Sequence, residues 1–385
     1  MKILFVVTEM RLGGRERVVG HISDGMLDRD IDSAIFSIWQ KPSYFELNSP
    51  VYLKSNKLAS KSDKRKTENN IIKINSKKIL GSVAKTVFKF STLQKGRIKE
   101  LVKLVNTKGF DTLVLTDLTI TLAKEIKSKL PNVKLIGWIH MEEKAFFESQ
   151  YPQFKREIID GISVLDKVVT LTKKQSISYK KYNENTINIP NPTPVFQVKD
   201  TLKDNNSKNL LVVARIDVDH KGLDLLVDVL TKLVAMGSEK WKLDVVGSGK
   251  LEDEIKFRKM INNANLSDKI NLLGALQPKE LAFFYQKADG FLMTSRFEGF
   301  PMTIGEAFMY GVPVISFDLD GVREISGNSG ATLFVDKFNT TEFAKTIQNL
   351  LSDENLRDDM KKAAKIRIKE FEVPEVVNTW TRELE

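Results

Sequence analysis

The sequence predicts an α/β protein of two domains, each built on a parallel sheet. Three observations carry this. Short apolar runs alternate along the whole chain with longer stretches whose apolar residues recur every three to four positions. The short runs are apolar on consecutive residues, as strands covered on both faces are, which implies parallel sheets with right-handed crossovers. And 385 residues make about two domains of ordinary size, each large enough to bury a core.

The expected strands of the first half are Ile3–Val7, Ala34–Trp39, Thr112–Thr116, Lys134–His140 and Lys167–Leu171. Those of the second half are Asn209–Ala214, Lys242–Val246, Ile270–Leu273, Gly290–Met293, Val312–Ser316 and Ala331–Val335. Leu223, Leu226, Leu230 and Leu233 typify the helical spacing between them. Around residues 189–208 stand Pro190, Pro192 and Pro194, then a polar run. Three prolines in five positions block helix and central strand alike, which marks a linker. The expected division is therefore 1–188, a linker at 189–208, 209–368, and a C-terminal helix over 369–385 that crosses back to the first domain. The polar stretch 56–75 reads as a loop. Open sheets of this kind bind ligands in a crevice at the carboxyl ends of their strands.

Composition narrows the classes. Hydrophobic residues at 42% with 29% charged describe a globular protein and exclude a disordered, collagen-like or multi-span membrane chain. The absence of cysteine excludes disulfides, thiol nucleophiles and Cys-based metal sites. Three histidines, His21, His140 and His220, are too few for a His-rich metal centre. The five apolar residues Ile3–Val7 are too short a run for a signal peptide and suit a buried strand. No run approaches the ~18 apolar residues of a membrane span, so a cytosolic location is expected. The net charge is +10, but residues 54–108 hold 16 Lys/Arg against 3 acids. The basic excess is thus one local segment, and the rest of the chain is slightly acidic.

Four strand-end motifs carry the chemistry. Gly13 and Gly14 follow the first strand and precede a helix, where backbone approaches a ligand closely and helix amides face an anion, or where the chain simply turns tightly. Arg215 stands at a strand end, with Lys221 and Gly222 before the next helix. Two cations in a strand-end crevice suit a diphosphate, Arg as a planar fork and Lys as a point charge, although solvated surface cations have the same spacing. Gly247-Ser248-Gly249 forms a similar turn. The most specific run is Ser295 to Ala307, with Glu298 in the loop, a Gly299-Phe300-Pro301 turn, and Glu306 eight positions after Glu298. Carboxylates so placed accept hydrogen bonds from vicinal hydroxyls, and amides of the helix start face a phosphate.

This last run resembles the Glu-x7-Glu signature of retaining glycosyltransferases of family four, which have the GT-B fold. Gly13 to Arg17 is similar to that family's Gly-Gly-Ala-Glu-Arg loop, with Arg15 in place of the alanine. Arg215 with Lys221 resembles its diphosphate-binding pair, and Gly311 to Ile315 stands in its usual place. The resemblance covers residues 1 to about 370 and is strongest from 209 to 336. It implies two Rossmann-like domains facing a cleft that closes on the donor. Glu306 would hold the ribose and Glu298 the donor sugar. Arg215 and Lys221 would neutralise the leaving diphosphate, and the amides of Gly13 and Gly14 would meet its distal phosphate. His140 would lie against the sugar, while Gly247, Gly299, Phe300 and Pro301 complete the donor site.

The same resemblance implies transfer of a hexose from a nucleotide sugar, with UDP expected, and retention of anomeric configuration. By the same resemblance Arg215 and Lys221 would stand in for a metal at the diphosphate, so none is expected there, and no cofactor beyond the donor substrate. A nucleotide-sugar epimerase of the same fold and a non-catalytic nucleotide-sugar-binding partner subunit are the alternatives. The basic segment mixes apolar positions with Lys85, Lys89, Lys95 and Lys99. It suits an anionic membrane surface better than a plain solvated face, and better than nucleic acid, for which no reader motif or stacking platform is present. The local run Ser295–Ile315 resembles bacterial lipopolysaccharide hexosyltransferases. That implies a lipid-linked surface-glycan acceptor, of the lipopolysaccharide or capsule kind, and peripheral attachment to the inner face of the cell membrane.

Overall fold

The computed structural model describes residues 1–10, 13–40, 43–54, 57–58, 89–193, 208–238 and 240–385. Two compact units divide the chain. The first comprises Met1–Pro192 with Val373–Glu385, and the second Thr193–Glu372.

The first unit is built on strands β1 Lys2–Val7, β2 Asp32–Ser37, β3 Val51–Lys54, β4 Lys57–Leu58, β5 Thr112–Thr116, β6 Lys134–Ile139, β7 Lys167–Thr170 and β8 Thr186–Asn188. Their order is β4-β3-β2-β1-β5-β6-β7-β8. All neighbours are parallel except β3 and β4. The chain starts in the middle at β1, grows toward β3, then returns to the other side of β1 with β5. Ile3 accordingly pairs with Ser33 on one side and Thr112 on the other. Residues Ile3 to Val7 have no solvent exposure, which is why the run is apolar on every residue instead of alternating. The helix Val373–Leu384 completes this unit's core with Val376, Val377 and Trp380. The Trp380 ring lies 4.7 Å from that of Trp138 and 6.4 Å from that of Phe5. The returning segment thus begins at Val373, not at residue 369. The preceding turn Ile368–Phe371 belongs to the second unit, where the Phe371 carbonyl accepts from the Thr193 amide at 2.7 Å.

The second unit holds β9 Lys208–Val213, β10 Trp241–Val246, β11 Ile270–Gly274, β12 Gly290–Met293, β13 Val314–Phe317 and β14 Thr332–Val335. Their order is β11-β10-β9-β12-β13-β14, parallel throughout. Here again the first strand is central, and the order reverses between β9 and β12. The helix Leu223–Ala235 turns Leu223, Leu226, Leu230 and Leu233 inward, all fully buried, as their spacing predicts.

Candidate active site

In a doubly wound sheet, adjacent strands whose crossovers leave on opposite faces open a crevice beyond their carboxyl ends. In the second unit that point lies between β9 and β12. A cavity of about 330 Å³ occupies it, lined from β9 by Val212 to Arg215, from the next loop by His220 and Lys221, and from β12 and its loop by Phe291 to Ser295 and Glu298. Phe300, Pro301 and the helix start at Met302 and Thr303 close it.

Local sequence sets this geometry. Gly222 has φ +59°, and a Cβ there would come within 2.0 Å of the Thr294 carbonyl oxygen. Glycine is therefore required for the loop to press against the end of β12, where Thr294 Oγ1 donates to the Lys221 carbonyl at 3.2 Å. Lys221 is thereby aimed inward, and its Nζ donates to Glu298 Oε1 at 2.8 Å. Ser295 Oγ donates to the same oxygen at 2.6 Å. Burial alone would raise the Glu298 carboxyl, but Lys221 and the Ser295 bond outweigh it and hold the group below the usual carboxylate range. Arg215 reaches out from the β9 end with its side chain 63% exposed and donates to Asp217 Oδ2 at 2.8 Å.

The other donor-side residues expected from sequence are placed differently. Glu306 is buried in the helix Met302–Met309 and accepts from the Tyr285 hydroxyl at 2.9 Å. It does not line the cavity, and neither do Gly247 and Gly299. A Cβ on Gly247 (φ +141°) would approach the Ala214 carbonyl oxygen to 1.8 Å, so the close passage of β10's end beside β9's end already accounts for this glycine. Phe300 is buried edge-on to Phe371, with ring centres 5.6 Å apart.

The first unit has its own switch point, between β1 and β5, and a second constellation forms there. Asp117, immediately after β5, is fully buried at φ +43°. Its Oδ1 accepts from the His140 amide at 2.9 Å, and its Oδ2 lies 3.5 Å from His140 Nδ1. Arg15 Nη1 donates to Oδ2 at 2.9 Å, and the same guanidinium also pairs with Glu16. Burial opposes ionisation of Asp117, yet His140 and Arg15 together keep it well below the carboxylate range. Arg15 is therefore an internal ion-pair partner and not a solvated side chain. His140 follows β6 with only 7% of its side chain exposed, packed 4.6 Å from the Trp138 ring. Gly13 precedes the helix Gly14–Leu27 in extended conformation, and a Cβ on Gly14 would meet nothing within 4 Å. Among the described residues, packing thus leaves open space at Gly14.

Asp117, Ser295, Tyr285 and Asp217 were not singled out from sequence. Asp117 carried one signal, a polar residue directly after a buried strand in the sheet centre. The others carried none, because a hydroxyl or carboxylate one loop away from its partner leaves no spacing pattern.

Of the basic segment, Lys85 lies outside the described residues. Lys89, Lys95, Lys99 and Lys103 are exposed, the last three spaced by four along the helix Lys95–Lys108. Ile98, Leu101, Leu104 and Val105 on its other side are buried. Arg97 does not join the exposed stripe. It is buried, stacks on Phe36 at 4.5 Å, and donates to the carbonyls of Ile38, Ser37 and Leu53 at 2.9, 2.7 and 2.7 Å. Among the described residues no helix is long and apolar enough to cross a membrane.

Crevices at the switch points of parallel sheets are where folds of this class bind their ligands. Residues 196–367 match the family described as Glycosyl transferases group 1, and relatives named as glycosyltransferases match over nearly the whole chain. The chain is 23% identical over 384 residues to the GalNAc-alpha-(1->4)-GalNAc-alpha-(1->3)-diNAcBac-PP-undecaprenol alpha-1,4-N-acetyl-D-galactosaminyltransferase of Campylobacter jejuni, covering 99% of this chain and 98% of that protein. Among solved structures it is similar to sucrose-phosphate synthase from Thermosynechococcus elongatus, with TM-score 0.76 and 15% identity, over 99% of this chain and 98% of the other. It is also similar to Anabaena HepE in complex with UDP and glucose, with TM-score 0.73 and 16% identity, over 100% and 99%. Likeness at this level establishes the fold, which is GT-B, as the motifs imply.

Proposed function

We propose that the protein transfers a hexose from a UDP-sugar to a lipid-linked surface-glycan acceptor with retention of configuration, and without a divalent ion at the diphosphate. One observation carries this reading: the Lys221–Glu298 pair with Arg215 in the switch-point cavity of the second unit. A departing diphosphate gathers negative charge as the glycosidic bond breaks. Arg215 and Lys221 supply side-chain cations there, and the amides at Met302 and Thr303 add their dipoles. Two side-chain cations then do what a bound metal would otherwise do. Glu298, held ionised, accepts hydrogen bonds from sugar hydroxyls, while Glu306, bonded to Tyr285 outside the cavity, has its ribose role from the family resemblance alone. Retention follows if the leaving phosphate oxygen takes the acceptor's proton on the same face. His140, Gly13 and Gly14 keep the roles that the family resemblance implies for them.

The acceptor is read from two supports. The Campylobacter relative is named for an undecaprenol-linked substrate, and the lysine stripe of Lys95–Lys108 faces solvent on a helix whose other side is core. Both fit peripheral attachment to the inner face of a membrane.

Isothermal titration with UDP, GDP and ADP tests donor recognition. UDP should bind most tightly, and Lys221→Ala should weaken it about 10- to 100-fold, the loss expected for one charge-assisted contact. Equal affinity for all three nucleotides would contradict a UDP donor, and an unchanged affinity in the variant would contradict the role of Lys221.

A further inference from the structure

His220 lines the cavity beside Arg215 and Lys221, and the donor-site reading gives it no task. Its ring stacks on Phe297, centres 4.1 Å apart and planes 15° from parallel. Nε2 lies 3.2 Å from the Phe297 carbonyl oxygen, which only accepts. Nδ1 lies 3.5 Å from Arg215 Nη2, which only donates. Both neighbours therefore select one neutral tautomer, with the proton on Nε2 and a lone pair on Nδ1.

The surrounding charges agree. From its own loop His220 faces Arg215, Asp217 and Lys221, and from the β12 loop Glu298 and the Phe297 carbonyl. Nearby, Arg296 is engaged with Asp224 and Asp219 with Lys256. Burial and then Lys221 lower the basicity of His220 more than Glu298, Phe297 and Asp217 raise it. Asp217 is the pivot. It receives Arg215 Nη2 at 2.8 Å on Oδ2 and the His220 amide at 3.1 Å on Oδ1. The same Oδ2 stands 4.0 Å from His220 Nδ1, and Arg215 Nη2 lies beside both atoms, 2.8 Å from the first and 3.5 Å from the second.

We propose that a diphosphate entering the cavity draws Arg215 off Asp217, and that His220 takes up a proton from solvent at Nδ1 and replaces it. This rests on the reading that the cavity receives a nucleotide diphosphate. Arg215 is exposed enough to swing without disturbing the fold. Its departure removes a cation from Nδ1 and leaves Asp217 Oδ2 without its guanidinium, while the ligand brings further negative charge. All three changes favour imidazolium. The exchange gives the cavity a third positive charge only when an anion occupies it, and spares the empty site three adjacent cations.

Titrating UDP calorimetrically at pH 7 in buffers of different ionisation enthalpy counts the protons taken up. The wild type should take up a larger fraction of a proton than His220→Gln, the nucleotide's own phosphate contributing equally to both. Asp217→Asn should also reduce the uptake. UDP affinity should fall with rising pH more steeply in the wild type, approaching about tenfold per pH unit for one linked proton. Equal uptake in wild type and His220→Gln overturns the exchange even though UDP binds. Failure of UDP and GDP to bind at all overturns the nucleotide reading, and the exchange with it. If the variants fail to fold, the wild type decides alone. It has three histidines, so their imidazole proton resonances are separable by NMR. One of them should become protonated on adding UDP near neutral pH, and no change in any of the three contradicts the proposal.

Discussion

Lys221 and Glu298 lie 77 positions apart and share a 2.8 Å hydrogen bond. Each was legible in the sequence as a strand-end charge, but their pairing was not, because it depends on Gly222 bringing the loop against Thr294. Arg15 shows the same limit. Sequence marked it as a departure from the family's alanine, and only the fold brings Asp117, 102 positions away, to receive it. His21 permits a prediction of stability. Burial, then Arg17, pulls its imidazole down to about 4, with Asp24 opposing. In the unfolded chain the group titrates near 6.5. Between these values the unfolded state binds more protons, so stability falls as pH falls through this window. Between pH 7 and pH 5 this group should cost about 2 kcal/mol. Urea unfolding at both pH values should show a smaller loss in His21→Gln than in the wild type. An equal loss would mean that His21 does not carry this dependence.

The eleven strands expected from apolar runs are all present, with no end shifted by more than two residues. Those missed are β3, β4 and β8, of four, two and three residues at the ends of the first sheet. Edge strands are short and only half covered, so they leave no continuous apolar run. The switch-point cavity was legible as a class of site, since strand-end motifs of parallel sheets face such a crevice, and two of the four, around Arg215–Lys221 and Ser295–Pro301, line it. The helix Lys95–Lys108 was legible as amphipathic, but not the inward turn of Arg97. A buried arginine satisfied by backbone carbonyls has the same letter as a solvated one. If this helix rests on a membrane, glutamates at Lys89, Lys95, Lys99 and Lys103 should abolish cosedimentation with anionic vesicles and leave UDP affinity unchanged. Wild-type binding should weaken with salt as screening grows. Binding to neutral vesicles equally well, or by the variant, would contradict this.

At the level of the whole chain, the proline cluster announced the division, which falls between Pro192 and Thr193. The return of Val373–Glu385 to the first unit rests on Trp380, whose burial against Trp138 and Phe5 no local pattern reveals. The +10 charge of the chain is likewise not a property of its donor cavity, whose cations Arg215 and Lys221 lie outside the basic segment. The central claim is retaining transfer from a UDP-sugar, with side-chain cations at the leaving diphosphate. Its most direct test is incubation of the full chain with a panel of UDP-hexoses and undecaprenol-linked glycan acceptors, in the presence of EDTA, with the new linkage assigned by NMR. The account predicts transfer of one hexose to give an α-linked product from an α-linked donor, undiminished by the chelator. A β-linked product, or transfer that EDTA abolishes and a divalent ion restores, would contradict it.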